Sequence, residues 1–133
     1  MKLKGKVAII TGGGRGIGKA IACAYAKEGA RLIVTAARQV YEIQEVASLI
    51  GGTALQADVT KLEDVDKVVQ TALSMYGKID ILINNAARGM KYVNEEFMTT
   101  PSPFWQTDPE VWRMIIDTDI NGVFLMTRTV VPV

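Results

Sequence analysis

Four short apolar runs, Lys6–Thr11, Arg31–Ala36, Thr53–Ala57 and Lys78–Asn84, alternate with amphipathic segments of helical period, and this alternation constrains the fold more than any other feature of the chain. After the first run Ile17, Ala20, Ile21, Ala24 and Tyr25 recur at helical spacing, with Gly29 at the expected end. Gln39–Ile50 carries Val40, Ile43, Val46, Ala47 and Ile50 on one face and is closed by Gly51-Gly52. Thr60-Lys61-Leu62-Glu63 reads as a capping box opening a helix with Val65, Val68, Val69 and Ala72 inward and Gly77 at its end. Asp108-Pro109 supplies an N-cap and a first-turn proline for a last helix striped by Trp112, Ile115, Ile116, Ile120 and Val123. Strands joined through helices demand right-handed crossovers and a parallel sheet covered on both faces, which is why the runs are continuously apolar. The expected class is α/β, a doubly wound parallel sheet of order β-α-β-α-β-α-β-α along the chain. In such sheets ligands bind beyond the carboxyl ends of the strands, so chemistry is to be sought just after each run.

Composition narrows the function classes. The 133 residues make room for one domain, against about 100–200 residues for a typical one. Fifteen Lys and Arg against fourteen Asp and Glu leave a net charge of +1, too little to draw the chain onto nucleic acid or an anionic membrane, so neither is expected as a partner. The absence of His removes Ser/His/Asp and Cys/His catalysis and any His-bearing zinc site, and the single Cys23, which reads as a small buried helix residue, allows no disulfide or Cys cluster. No metal site is expected. Only four apolar residues separate Lys6 from Thr11, too few for a secretory core, and no stretch approaches the roughly 18 apolar residues of a membrane span, so the expected location is cytoplasmic.

The first run leads into Thr11-Gly12-Gly13-Gly14-Arg15-Gly16-Ile17-Gly18. Five glycines at a helix N-terminus, where free amides and the positive dipole end attract phosphate, exceed what a flexible turn needs. The mononucleotide pattern GxxxxGK[ST] is nearly met from Gly13 to Lys19, but Ala20 brings no hydroxyl for magnesium. The spacing GxGxxG fails as well, since it puts Ile17 where the third glycine belongs. TGxxxGxG fits at Thr11, Gly12, Gly16 and Gly18. With Asp58-Val59 after the third run, Asn84-Asn85-Ala86-Ala87 after the fourth, and Trp112–Phe124 in place of the family's fourth helix, the whole chain resembles the short-chain dehydrogenase/reductase family.

That resemblance implies a Rossmann-like sheet with strand order 3-2-1-4, binding of NAD or NADP, hydride transfer on a small-molecule carbonyl or alcohol, and a homo-oligomer for the full-length protein. It places Thr11, Gly12, Gly14, Arg15, Gly16, Ile17 and Gly18 around the pyrophosphate, with Gly18 allowing helix and sheet to approach. Asp58 is assigned to the adenine amino group, the Val59 backbone to the ring, and Asn85, Ala86 and Ala87 to the nicotinamide ribose side. The family has Gly where this chain has Ala87. A helix-cap role for Asp58 is the rival reading, disfavoured where Thr60 and Glu63 already form the cap.

NAD-preferring enzymes offer a carboxylate to the ribose about twenty residues past the glycine loop. Here the second run ends Thr35-Ala36-Ala37-Arg38 and the next acid is Glu42. With no carboxylate to repel a 2′-phosphate, and Arg15 and Arg38 placed to attract one, NADP is the expected cofactor and NAD the alternative.

The family's chemistry uses a Tyr, a Lys four residues on, and a Ser. Tyr25, Tyr41, Tyr76 and Tyr92 are followed four positions later by Gly29, Glu45, Asp80 and Glu96, so residues 1–133 contain no YxxxK. The expectation is a dinucleotide-binding domain, 1–133, incomplete at its C-terminus and inactive alone; a non-catalytic binding or interaction module is the alternative. The family's fourth helix carries an Asn three residues before a Gly, and counting back from Gly122 gives Asp119. Asp119 is then either a catalytic variant or local drift. The long segment Arg88–Thr107, with Tyr92, Phe97, Met98, Phe104 and Trp105, reads either as a lid over a bulky substrate or as a packing surface.

Overall fold

A computed structural model describes residues 1–133. Strands β1 (Val7–Thr11), β2 (Arg31–Ala36), β3 (Thr53–Gln56) and β4 (Ile81–Ile83) form one parallel sheet in the order β3-β2-β1-β4. Helices α1 (Gly16–Lys27), α2 (Val40–Ile50) and α3 (Leu62–Tyr76) follow the first three strands. After β4 come two single 3-10 turns, Met90–Tyr92 and Phe104–Gln106. One long helical rod then begins as α4 (Pro109–Ile116), passes through a turn of π-helix at Asp117–Asn121 and continues as α5 (Gly122–Val130).

Successive residues of β1 and β2 point to opposite faces, and both faces are covered. Ala8, Ile10, Leu32 and Val34 pack with Ala22, Ile43 and Val46, whereas Ile9 and Ile33 pack with Val65, Val68, Ala72 and Met126. Each buried Ile, Leu or Val contributes about 1.5–3 kcal/mol of transfer free energy. The central strands therefore have no polar face to show, and no alternation appears in their sequence.

Four local expectations are corrected. Helix α1 seats Gly18 and Ala22 inward and leaves Ile17, Ala20 and Ala24 exposed, because the bare Gly18 backbone is what approaches the sheet. Helix α3 starts at Leu62, with Lys61 as an N-cap that offers no side-chain bond. Thr60 instead turns its hydroxyl and amide onto Asp58 Oδ1 (2.7 and 2.9 Å), and the carboxylate that reaches back is that of Asp64, onto the Asp58 amide (2.9 Å). The rod's inward residues are Thr118, Gly122 and Met126; Trp112, Ile120 and Phe124 are each about 60% exposed. Strand β4 is three residues long: Asp80 still donates its amide to the Val7 carbonyl (2.9 Å), but its carboxylate takes the Val7 amide (2.8 Å) and the Lys78 and Lys6 ammonium groups (3.0 and 3.4 Å).

β4 pairs only with β1, so its outer edge carries unpaired backbone groups, and the rod separately exposes Trp112, Ile120 and Phe124. Unpaired apolar edges recruit further chains. The 133-residue chain is therefore expected to self-associate, with a mass above the monomer by light scattering at tens of micromolar. A stable monomer with strongly protected amides throughout Ile81–Ile83 would contradict this.

Candidate functional site

The carboxyl end of β1 is built around a buried hydroxyl. Thr11, 1% exposed, donates to the Ile83 carbonyl (3.4 Å) and accepts the amides of Asn85 (3.1 Å) and Ala86 (3.0 Å). The Asn85 side chain closes the same knot by donating to the carbonyls of Thr11 (3.1 Å) and Gly12 (2.9 Å). These bonds fix the segment after β4 against the glycine turn, although more than seventy residues separate them.

The turn itself depends on two glycines. Gly12 has φ +64°, and a Cβ there would lie 3.0 Å from Ala86 Cα and from Asn85 Nδ2. At Gly18 a Cβ would lie 2.2 Å from the Gly12 carbonyl oxygen, a separation no side chain tolerates. Arg15, extended at φ −157°, precedes α1 without capping it, and no acid occupies the first turn. The opening amides of α1 are left to an outside acceptor.

A cleft of about 250 Å³ opens beyond the strand ends. Gly12, Gly14, Arg15, Arg38, Asp58, Val59, Asn85, Ala86 and Ala87 all line it. Thr11 lies beneath it as the hydrogen-bonded pin, Gly16 and Ile17 are exposed at the start of α1, and Gly18 is buried against the turn. Ala87 takes the family's Gly position without strain, since no residue other than Gly has a positive φ. Asp119 is outside the cleft lining, its Oδ1 accepting the Arg88 amide at 2.8 Å, so its polar partner is the backbone leaving β4.

Glu42, Thr118 and Tyr92 are among the cleft residues given no cofactor role from the sequence. Glu42, the next acid after the second run, lines the cleft and faces Arg15 across 3.6 Å, because the first turn of α2 brings it back over the strand end. Thr118 lines the cleft and bonds its hydroxyl to the Met114 carbonyl (3.0 Å). Tyr92 reaches across the opening, where its hydroxyl accepts a hydrogen bond from Arg38 Nη2. The local pattern marks Tyr92 only as one aromatic of the Arg88–Thr107 segment, since its partner is 54 residues away. Of the predicted lid aromatics, Phe104 and Trp105 stack edge to face at 5.5 Å and remain largely exposed.

Two groups at the cleft have shifted pKa values. Burial pushes the Asp58 carboxyl up, but the hydroxyl and amide of Thr60 and the charges of Arg88 and Lys61 outweigh it, holding the group below its usual range and ionised at neutral pH. Burial likewise raises the Tyr92 phenol and is outweighed by the Arg38 hydrogen bond and the charges of Arg38, Arg88 and Lys91, so that its pKa falls below the ordinary value.

Known proteins share this arrangement. In the solved structure of a 3-ketoacyl-(acyl-carrier-protein) reductase from Brucella melitensis complexed with NADH, the superposition has a TM-score of 0.86 at 39% identity, covering 98% of this chain and 50% of that one. A metagenomic short-chain oxidoreductase in complex with NADP superposes with a TM-score of 0.83 at 30% identity, over 99% and 57% of the two chains. Among curated relatives, a 3-oxoacyl-[acyl-carrier-protein] reductase of Synechocystis sp. is 35% identical over 96% of this chain and 50% of its own length. Dehydrogenase/reductase SDR family member 4 of Oryctolagus cuniculus is 37% identical over 98% and 48%. The chain thus spans about half the length of the curated relatives it matches. The sequence profile described as short chain dehydrogenase matches residues 6–133, and with the glycine turn, sheet order and cleft in agreement, the chain belongs to the short chain dehydrogenase family.

Proposed function

We propose that this chain is the cofactor-binding half of an NADP-dependent oxidoreductase that moves hydride between the cofactor and a small-molecule carbonyl/alcohol pair. The observation that carries the reading is the glycine turn: Gly18 packed against the Gly12 carbonyl brings the uncapped start of α1 to the cleft, where a pyrophosphate would meet backbone amides. In this reading Gly12, Gly14, Gly16, Ile17 and Gly18 form the phosphate turn, with Thr11 holding its shape. Asp58 and Val59 take the adenine, and Asn85, Ala86 and Ala87 border the ribose toward the nicotinamide. Asp119 is a positioning residue, holding the Arg88 amide and through it the exit of β4. The bound nicotinamide supplies the hydride; the chain's own residues bind, orient and exclude water.

Preference for NADP is attributed to Arg38. Glu42 sits near the ribose position but faces Arg15, which offsets its charge, while Arg38 has no carboxylate partner within ion-pair distance and bonds only the neutral Tyr92 hydroxyl. Fluorescence titration is expected to give tighter binding of NADPH than NADH, and Arg38→Ala combined with Arg15→Ala is expected to weaken NADPH by about tenfold or more. Tighter NADH binding, or an unchanged NADPH affinity in the double variant, would remove the argument.

A second reading, binding without turnover, is favoured for residues 1–133 by themselves, because none of their four tyrosines has a lysine four positions on. Purified chain is expected to bind the dinucleotide and to consume none of it with ketones or aldehydes. Robust turnover would point back to Asp119 as a proton-transfer group.

A further inference from the structure

Around the Tyr92 ring three cations converge: the Arg38 and Arg88 guanidinium carbons are each 5.4 Å from its centroid and the Lys91 ammonium is 5.6 Å away. The π face of the ring attracts each cation, but like charges held around one ring also repel, and an anion among them would relieve that repulsion. Arg88 is partly answered, since Asp58 is near enough to feel its charge and its Nη1 rests on the Met114 sulfur. Arg38 and Lys91 have no ion-pair partner and both are exposed; Arg38 lines the cleft, and Lys91 lies beside Tyr92, which lines it too. The only strong acceptor offered to Arg38 is a neutral phenol oxygen, delivered by a single 3-10 turn from the far side of the opening. A guanidinium in that position is better matched by a doubly charged phosphate, which takes two N–H bonds in parallel.

We propose that Lys91 and Tyr92, on the turn after β4, complete with Arg38 a phosphomonoester subsite, and that the Tyr92 hydroxyl keeps the anion's place on Arg38 until a nucleotide bearing a 2′-phosphate displaces it. The proposal rests on the dinucleotide reading above and adds to it a second cation and a displaceable plug. Discrimination between phosphorylated and unphosphorylated nucleotides then depends on the segment after β4 as well as on the end of β2. Tyr92 costs affinity, since its bond to Arg38 must break first, whereas Lys91 adds attraction only when the phosphate is present.

The test is a titration of the chain with NADPH, NADH, adenosine 2′,5′-bisphosphate and adenosine 5′-monophosphate, in the wild type, Lys91→Gln and Tyr92→Phe. Lys91 has an exposed side chain with no hydrogen-bond partner, and Tyr92→Phe keeps the ring, so both variants are expected to fold, as circular dichroism would verify. Lys91→Gln is expected to weaken NADPH and the bisphosphate by about fivefold to tenfold while leaving NADH and the monophosphate within about twofold. Tyr92→Phe is expected to tighten the two 2′-phosphorylated ligands by about threefold and to leave the other two unchanged. Equal affinities across all three proteins, with both dinucleotides still bound, would overturn the subsite and leave the dinucleotide reading standing. Failure of the wild type to bind either dinucleotide would overturn both.

Discussion

Gly18→Ala is expected to abolish dinucleotide binding and to destabilise the chain by about 3 kcal/mol or more, at or beyond the upper end of ordinary overpacking. The added methyl would lie 2.2 Å from the Gly12 carbonyl oxygen, 2.6 Å from Asn85 Nδ2 and 3.0 Å from the Gly12 carbonyl carbon. Two of those three atoms are backbone, and the third is an amide already bonded to the Thr11 and Gly12 carbonyls. None can give way without moving the end of β1 or the start of α1. Gly16→Ala is the control: its Cβ would meet nothing within 4 Å, and only the left-handed φ of +55° opposes it, a cost of about 1–2 kcal/mol. Urea denaturation and NADPH titration of both variants would check the contrast. A Gly18→Ala chain that folds normally and binds within about threefold of wild type would show that helix and turn are not in contact as described.

Thr11→Val has a comparable effect by a different route. Valine is nearly the same shape, so packing survives, but the partly buried amides of Asn85 and Ala86 lose the buried Thr11 oxygen as their acceptor. At about 1–3 kcal/mol for each of the two amides left unpaired, a loss of about 2–6 kcal/mol is expected. Thr11→Ser, which keeps the oxygen, should recover most of it. Hydrogen exchange gives a local readout: the two amides should lose protection in the valine variant before the rest of the sheet does. Unchanged exchange there, with unchanged stability, would rule out the hydroxyl as the pin.

The sheet was legible because its central strands are buried on both faces: Val7–Ile10 and Leu32–Val34 have no solvent side, and a continuous apolar run has few other uses. The face of α3 was equally plain, since Val65, Val68, Val69 and Ala72 are all inward as their spacing requires. What misled was local competition. Thr60-x-x-Glu63 has the pattern of a capping box, yet the Asp58 carboxylate two residues earlier captures the threonine, and Asp64 supplies the reaching carboxylate in place of Glu63. The cleft was legible wherever a glycine or a strand end marked it, as at Gly12, Arg38, Asp58 and Asn85. It was illegible at Glu42, and at Tyr92 it showed only as a lid aromatic, because both places follow from where other elements lead them. Thr11 was read as a motif residue; its partners lie 72 to 75 positions away, a relation no periodicity records.

The π turn at Asp117–Asn121 acts on the rod as a change of phase. Beyond it Gly122 is set so close to Val59 that a Cβ there would lie 2.5 Å from Val59 Cγ2, and Met126, 1% exposed, enters the core one turn later. Val59 also lines the cleft, so the floor of the ligand site rests on a helix whose rotational setting is decided by one extra residue wound into a single turn. Rewinding that turn as ordinary α-helix with every residue kept would rotate everything after it by about 100°, carrying the bare patch at Gly122 away from Val59, whereas losing the one extra residue would leave the later phase nearly unchanged. The rod can therefore exchange side chains along its outer face freely, but it cannot rewind the turn between Asp117 and Asn121 at its present length without unseating the cleft floor.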